Sequence, residues 1–312
     1  MSDFRLVEYE PSRQAELFDL MRSVWGEYMD AEEFEWWFER NPVGPRLITL
    51  AEDDEGVLGM LAMSFARMRC NGSEVLAAAA VQGATHPRAR GRGVFSEIEL
   101  FNEARSAEHG ARVAVGFTNP EAGPILVGRV GWRDVRRLRL WARPLRGLLR
   151  GSGPVLREGT GDVARFGAEH ERLYRSVSAS WPDHYVRAAE YLNWRYLDSP
   201  KGYRAFEHRV AGESRGFAVL GQARHHGREI AVVADLVADG VRSARALLRG
   251  LIAETGPGAQ ALVGLPPPGL GGAFASCGFV PTPVTIRLIG KPLAESAAVG
   301  DWYFSLGDTD IF

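Results

Sequence analysis

The residues with the clearest chemical potential run Ala84-Thr85-His86-Pro87-Arg88-Ala89-Arg90-Gly91-Arg92-Gly93-Val94-Phe95. Three arginines and two glycines fill a turn that leaves a predicted strand and enters a predicted helix. Backbone N–H groups at a helix start lack intrahelical acceptors and sit at the positive end of the helix dipole. Such a turn suits a phosphate or pyrophosphate. Gly91 and Gly93 remove the Cβ that would hold an anion away from the backbone, and the arginines add charge. A dinucleotide fingerprint is not met, because that needs a third glycine and an acidic residue about 20 positions on.

These residues need a strand and a helix to hold them, and the chain supplies both twice. The apolar run Val75 to Thr85 reads as a buried strand. A helix follows from Val94 to His109, with Val94, Ile98 and Phe101 at i, i+4 and i+7. Strand Arg112 to Phe117, a short helix over Ala122 to Arg129 and the pair Gly131-Trp132 come next. Moving down by 147 positions gives strand Ile230 to Leu236, helix Val241 to Glu254, strand Gln260 to Leu265, short helix Gly269 to Ser276 and Gly278-Phe279. Trp36-x5-Pro42-x-Gly44 is echoed by Trp194-x5-Pro200-x-Gly202. A repeat of this kind is the signature of a duplicated unit. The breakers Gly147, Gly151, Gly153, Pro154, Gly159 and Gly161 mark a connector, so the expected domains are 1–150 and 151–312.

The loop resembles the acyl-CoA loop of the GNAT N-acetyltransferase superfamily, with its Gln/Arg-x-x-Gly-x-Gly/Ala pattern. Two registers fit, Arg88-x-x-Gly91-x-Gly93 and Arg90-x-x-Gly93-x-Phe95, and the preceding His86-Pro87 turn favours the second. Phe95 then stands where a small residue is usual. Asn119 and Gly131-Trp132 match the segment that the family places beside the pantetheine arm. The resemblance implies an α/β fold of two tandem GNAT-like mixed-sheet domains. It also implies an acyl-CoA, most simply acetyl-CoA, as donor substrate and a small amine as acceptor. Gly83, Ala84, Thr85, Arg90, Gly91, Arg92, Gly93, Val94, Phe95 and Asn119 are the cofactor-binding residues implied. In the second copy Val237, Ala238 and Asp239 replace Arg90, Gly91 and Arg92, so that copy is expected to lack a functional cofactor loop. Aminoacyl-tRNA or acyl carrier protein as donor, and a non-catalytic acyl-CoA-binding module, are the rival readings. The tyrosine that the family uses to protonate the leaving thiolate is replaced here by Val127, so either a tyrosine from elsewhere substitutes, Tyr28 or Tyr303 for instance, or the thiolate leaves without help.

A second set of candidate groups lies at Asp301 to Phe312, a stretch too rich in aromatics for a solvated tail. Trp302, Tyr303, Phe304 and Phe312 are expected to dock it, by aromatic burial. Asp310, Asp308 or the Phe312 carboxylate would then be available as general base or amine ligand; a structural clasp is the alternative. Hydrophobic residues make up 46% and charged residues 24%, close to ordinary globular averages, which excludes a disordered or fibrous chain. The net charge of −2 argues against DNA as a partner. No apolar run reaches the roughly 20 residues that would cross a membrane, and the expected location is cytoplasmic. Cys70 and Cys277 match no metal or redox spacing, and no metal is expected.

Overall fold

A computed structural model describes residues 3–26, 29–145, 159–225, 227–295 and 297–310. Two compact units divide the chain, the first made of Met1–Arg136 and Arg287–Asp301, the second of Arg137–Ile286 and Trp302–Phe312. The boundary expected near residue 150 falls at 146–158, outside the described residues. The observed division comes earlier, at Arg136/Arg137, and the second half of the chain returns Arg287–Asp301 to the first unit.

In unit 1 the strands are β1 (Arg5–Glu8), β2 (Leu47–Asp53), β3 (Gly56–Cys70), β4 (Ser73–Thr85) and β5 (Ala111–Thr118). They pair in that order, antiparallel except for the parallel pair β4/β5. Strand β6 (Arg133–Pro144) follows Gly131, which ends the preceding helical turn at φ 86°. Helix α1 is Gln14–Trp25, and α2 (Ala31–Phe34) runs into the π-helical turn Glu35–Glu39, which buries Trp36 and Trp37. Helix α3 spans Val94–Glu108, and α4 (Ala122–Ile125) continues as a second π turn, Leu126–Val130. Val94 and Ile98 are buried against Leu58, Leu61 and Ala51 as the helical spacing predicts, whereas Phe101, the third position of that face, is only partly buried and Asn102 is buried beside it.

Unit 2 repeats the order. Strands β7 (Thr160–Asp162) and β8 (Asp183–Tyr185) come with α5 (Ala168–Val177) and α6 (Ala189–Leu192), the latter passing into a π turn at Asn193–Leu197. Then follow β9 (Arg204–Val210), β10 (Glu213–His225), β11 (Arg228–Ala238), α7 (Val241–Glu254), β12 (Ala261–Gly264), α8 (Gly271–Ser276), β13 (Val280–Pro292) and β14 (Trp302–Tyr303). The parallel pair is now β11/β12, and Gly278 ends α8 at φ 80°, as Gly131 ends its counterpart. The last strands are traded. In unit 2, β12 pairs with Trp141–Pro144 of β6, and in unit 1, β5 pairs with Arg287–Pro292 of β13. Both exchanges pair strands more than 100 residues apart in the chain, which no local pattern encodes. Arg137 and Arg139 on β6 are exposed, alternating with buried Leu138 and Leu140.

Candidate functional site

Strand β4 carries an irregularity where the expected site begins. It pairs with β3 in register down to Ala62↔Val81 and resumes at Met60↔Ala84, so Gln82 and Gly83 together face Leu61. This is a β-bulge, and it leaves an unpaired peptide in the strand. Gln82 absorbs the bend with φ 56°, in the left-handed region. Gly83 is exposed, and a Cβ there would lie 2.9 Å from the Phe95 ring. The large residue at the position where the family pattern has a small one is thus accommodated by a glycine on the neighbouring strand.

The turn itself runs His86 to Gly93. The His86 N–H donates to Leu58 O at 2.8 Å and its Nδ1 accepts from the Arg88 N–H at 3.3 Å, so His86 serves as a turn residue. Gly91 and Gly93 take φ of 81° and 82°, which only glycine adopts without strain. Gly93 caps α3 without a side chain, so the amides of the first turn stay available to a ligand. The arginines then separate by role. Arg88 forks onto Asp53 at 2.8 and 2.9 Å and reaches Glu55; the guanidinium holds the Asp53 carboxyl at about 2, well below its ordinary value. Arg92 pairs with Asp3 at 2.7 Å. Arg90 is exposed and forms no ion pair with a described residue. The arginine left over for an anion is the one in the favoured register.

Asn119 follows β5 and caps α4: its Oδ1 accepts the N–H groups of Glu121 and Ala122 at 3.1 and 2.8 Å. Thr85 and Val94 flank the turn, with Ala84 and Val94 buried beneath it. Val127 sits on the π turn and packs with Leu126, Val130 and Trp132. Tyr28 lies outside the described residues.

Sequence reasoning missed a buried acid behind the loop. Glu99 is fully buried on α3, and neither carboxylate oxygen has a hydrogen-bond partner. Burial and the neighbouring Glu103 push its pKa up to about 8. Glu103 is satisfied by Trp132 Nε1, which donates at 2.7 Å, and by Lys291 Nζ. The i, i+4 pair of glutamates reads in sequence as a solvated face; only the tertiary placement of Trp132 and Lys291 shows otherwise.

The C-terminal candidates belong to unit 2 and are deeply packed there. Trp302, Tyr303, Phe304 and Leu306 are buried, while Phe312 lies outside the described residues. Asp308 Oδ2 accepts from Arg187 at 2.5 Å and from the Ser305 N–H at 2.8 Å. Arg187, fully buried, also donates to Asp235 at 3.2 Å, to Tyr185 O and to Ser305 Oγ. Tyr196 donates to Asp235 at 3.1 Å, and burial together with Asp308 raises the Asp235 carboxyl. Arg195 donates to the carbonyls of Gly307 and Thr309 at 2.8 and 3.1 Å. Asp308 is therefore committed to an ion network. Asp310 is partly exposed. Tyr303 is buried against Trp181, and desolvation lifts its pKa well above the ordinary value.

Strand β11 has a bulge too: Val219 faces Asp235 and Leu220 faces Val233, leaving Ala234 extra. From there only Asp239 and Gly240 separate strand from helix, against His86 to Gly93 in unit 1. The gap-free correspondence of the two copies across this stretch is therefore corrected. Val237 and Ala238 are strand residues, since β11 runs on where unit 1 has its loop.

Comparison with known proteins bears on the fold. A family model described as an acetyltransferase (GNAT) domain matches residues 7–134. No curated relative matches the sequence. Among solved structures, a GCN5-related N-acetyltransferase from Anabaena variabilis ATCC 29413 is similar with a TM-score of 0.69 and 13% identity, covering 93% of this chain and 73% of that one. A GCN5-related N-acetyltransferase from Kribbella flavida is similar with a TM-score of 0.64 and 17% identity, over 93% and 71%.

Proposed function

We propose, on the match of residues 7–134 to an acetyltransferase (GNAT) domain model, that the chain is an acyl-CoA-dependent N-acyltransferase, using acetyl-CoA or a related donor to acylate a small amine. The observation that carries this reading is the bulge at Gln82-Gly83 running directly into an open, glycine-capped turn with Arg90 unengaged. The amides of Gly91 to Phe95 and the Arg90 guanidinium would take the pyrophosphate, and Asn119 would border the pantetheine arm. The unpaired peptide at the bulge would polarise the thioester carbonyl. A neutral amine then attacks that carbon, the C–S bond breaks, the amine proton leaves to a base or water, and the thiolate takes up a proton.

Calorimetry with coenzyme A tests the donor site. Gly93→Leu should abolish binding, because the side chain both strains the φ of 82° and covers the first-turn amides. Arg90→Ala should weaken it roughly tenfold, the scale of one charge-assisted hydrogen bond, whereas Arg88→Ala should cost less because Arg88 is already engaged by Asp53. Unchanged affinity in Gly93→Leu would refute the assignment. The second reading, a non-catalytic acyl-CoA-binding module, is favoured by Val127 at the expected acid position. Multiple turnovers with any primary amine dismiss it.

A further inference from the structure

Unit 2 contains a cavity of about 1090 Å³ whose wall is dominated by arginine. Arg242, Arg245 and Arg249 come from α7, Arg143 from β6 and Arg215 from β10, and Asp239 is the one acid among the described lining residues. Positions 242, 245 and 249 follow the i, i+3, i+7 spacing that keeps side chains on one helix face. Arg242 and Arg249 are exposed and form no ion pair with a described residue. Among the described residues Arg245 donates to Ser276 Oγ, at 2.9 Å, and Arg143 to the Cys277 carbonyl, while the Arg143 Nε is buried with no described hydrogen-bond partner. Arg215 is the exception, lying within 3.6 Å of Asp239 and 2.9 Å of Glu213. Ser276 and Cys277 are neighbours in the chain, so the Arg245 and Arg143 guanidiniums meet at one end of the cavity.

We propose that this cavity binds a small ligand carrying several phosphate groups, such as a nucleoside polyphosphate or an inorganic polyphosphate. A concave surface lined by one sign of charge focuses its field and concentrates counter-ions. Guanidinium forks match phosphate oxygens in a bidentate geometry. At 1.5 Å rise per residue Arg242 and Arg249 lie about 10 Å apart along the helix, so one phosphate cannot meet both ends and a chain of them can. The volume is at the upper end for a small-molecule site, roughly 300–1,000 Å³. The site differs in kind from the loop of unit 1. Only Asp239 and Gly240 connect strand to helix here, so recognition rests on side chains instead of a glycine-lined backbone.

Calorimetry on the full chain with inorganic tripolyphosphate, and in parallel with ATP, tests the assignment. Saturable binding is expected, weakening steeply with salt. Arg242→Ala/Arg249→Ala, which removes two groups that form no ion pair with a described residue, should lower affinity at least tenfold without changing the melting temperature of the free protein. Gly93→Leu should leave tripolyphosphate binding intact, which separates this site from the donor loop. ATP binding tighter than tripolyphosphate identifies a nucleotide as the ligand, and equal affinity identifies the phosphate chain; either supports the site. Absence of saturable binding at millimolar ligand, unchanged affinity in the double variant, or loss of binding in Gly93→Leu would overturn it.

Discussion

The two bulged strands, β4 and β11, reach their helices in opposite ways. In unit 1 the bulge opens onto exposed Gly83, and a long turn carries two left-handed glycines and one uncommitted arginine to the start of α3. In unit 2 the residue beside the bulge is Asp235, fully buried beneath Arg187, Tyr196 and the segment that contains Asp308. The same architecture therefore presents bare backbone in one copy and fills that place with a charged network in the other. What distinguishes the proposed donor site from its counterpart in unit 2 is local: the length of one connection and the occupant of one strand bend. The fold is shared.

The sharpest way to break this contrast is to remove the network. Arg187→Met takes the cation from two buried carboxylates, and breaking a buried ion pair from one side costs about 3–5 kcal/mol. Urea unfolding should show that loss, with coenzyme A affinity preserved at denaturant concentrations where unit 1 stays folded. A loss below about 1 kcal/mol would mean that the network is not what holds Trp302 to Asp308 in place.

Unit 1 buries an acid as well, Glu99, whose carboxylate oxygens have no hydrogen-bond partner among the described residues. Glu99 has an ordinary value of 4.5 and is raised to about 8 by burial and by Glu103. The native state therefore holds this proton more tightly than the unfolded chain, so stability falls as pH rises above about 4.5 and levels off beyond about 8. Each pH step of one between those values costs about 1.36 kcal/mol, and by neutral pH the accumulated loss is roughly 3 kcal/mol. Glu99→Gln removes the titration. Its melting temperature should match the parent near pH 4.5 and exceed it increasingly up to pH 8; parallel curves across that range would show that Glu99 is not the group responsible.

Much of this was legible in the sequence, and the losses have identifiable causes. Helix α7 begins and ends where the apolar spacing places it, and Gly131 and Gly278 end their helices in the left-handed conformation. The loop was legible because glycine and proline act locally. The two bulges were not: a single extra residue in a strand leaves hydropathy unchanged, so the copies align without a gap in sequence although the turn in unit 2 is shorter. The traded strands and the buried Glu99 depend on partners far along the chain, Arg287–Pro292 and Lys291 among them, which no local pattern encodes.

The smallest effect is expected at the C-terminal carboxylates, and it bears on whether unit 2 is support alone. Asp308 and Asp310 are chemically alike in sequence, yet Asp308 is bound by Arg187 and the Ser305 amide while Asp310 is partly exposed. Three aromatic side chains already explain why the segment docks, because full burial of such groups gains on the order of 1.5–3 kcal/mol each. Asp310→Asn should therefore leave turnover near normal and stability within about 0.5 kcal/mol, the usual range for a surface change. A large fall in kcat with coenzyme A affinity intact would instead give Asp310 a part in handling the amine proton. Unit 2 would then contribute a reacting group, and the contrast between a donor site and its support would fail at that residue.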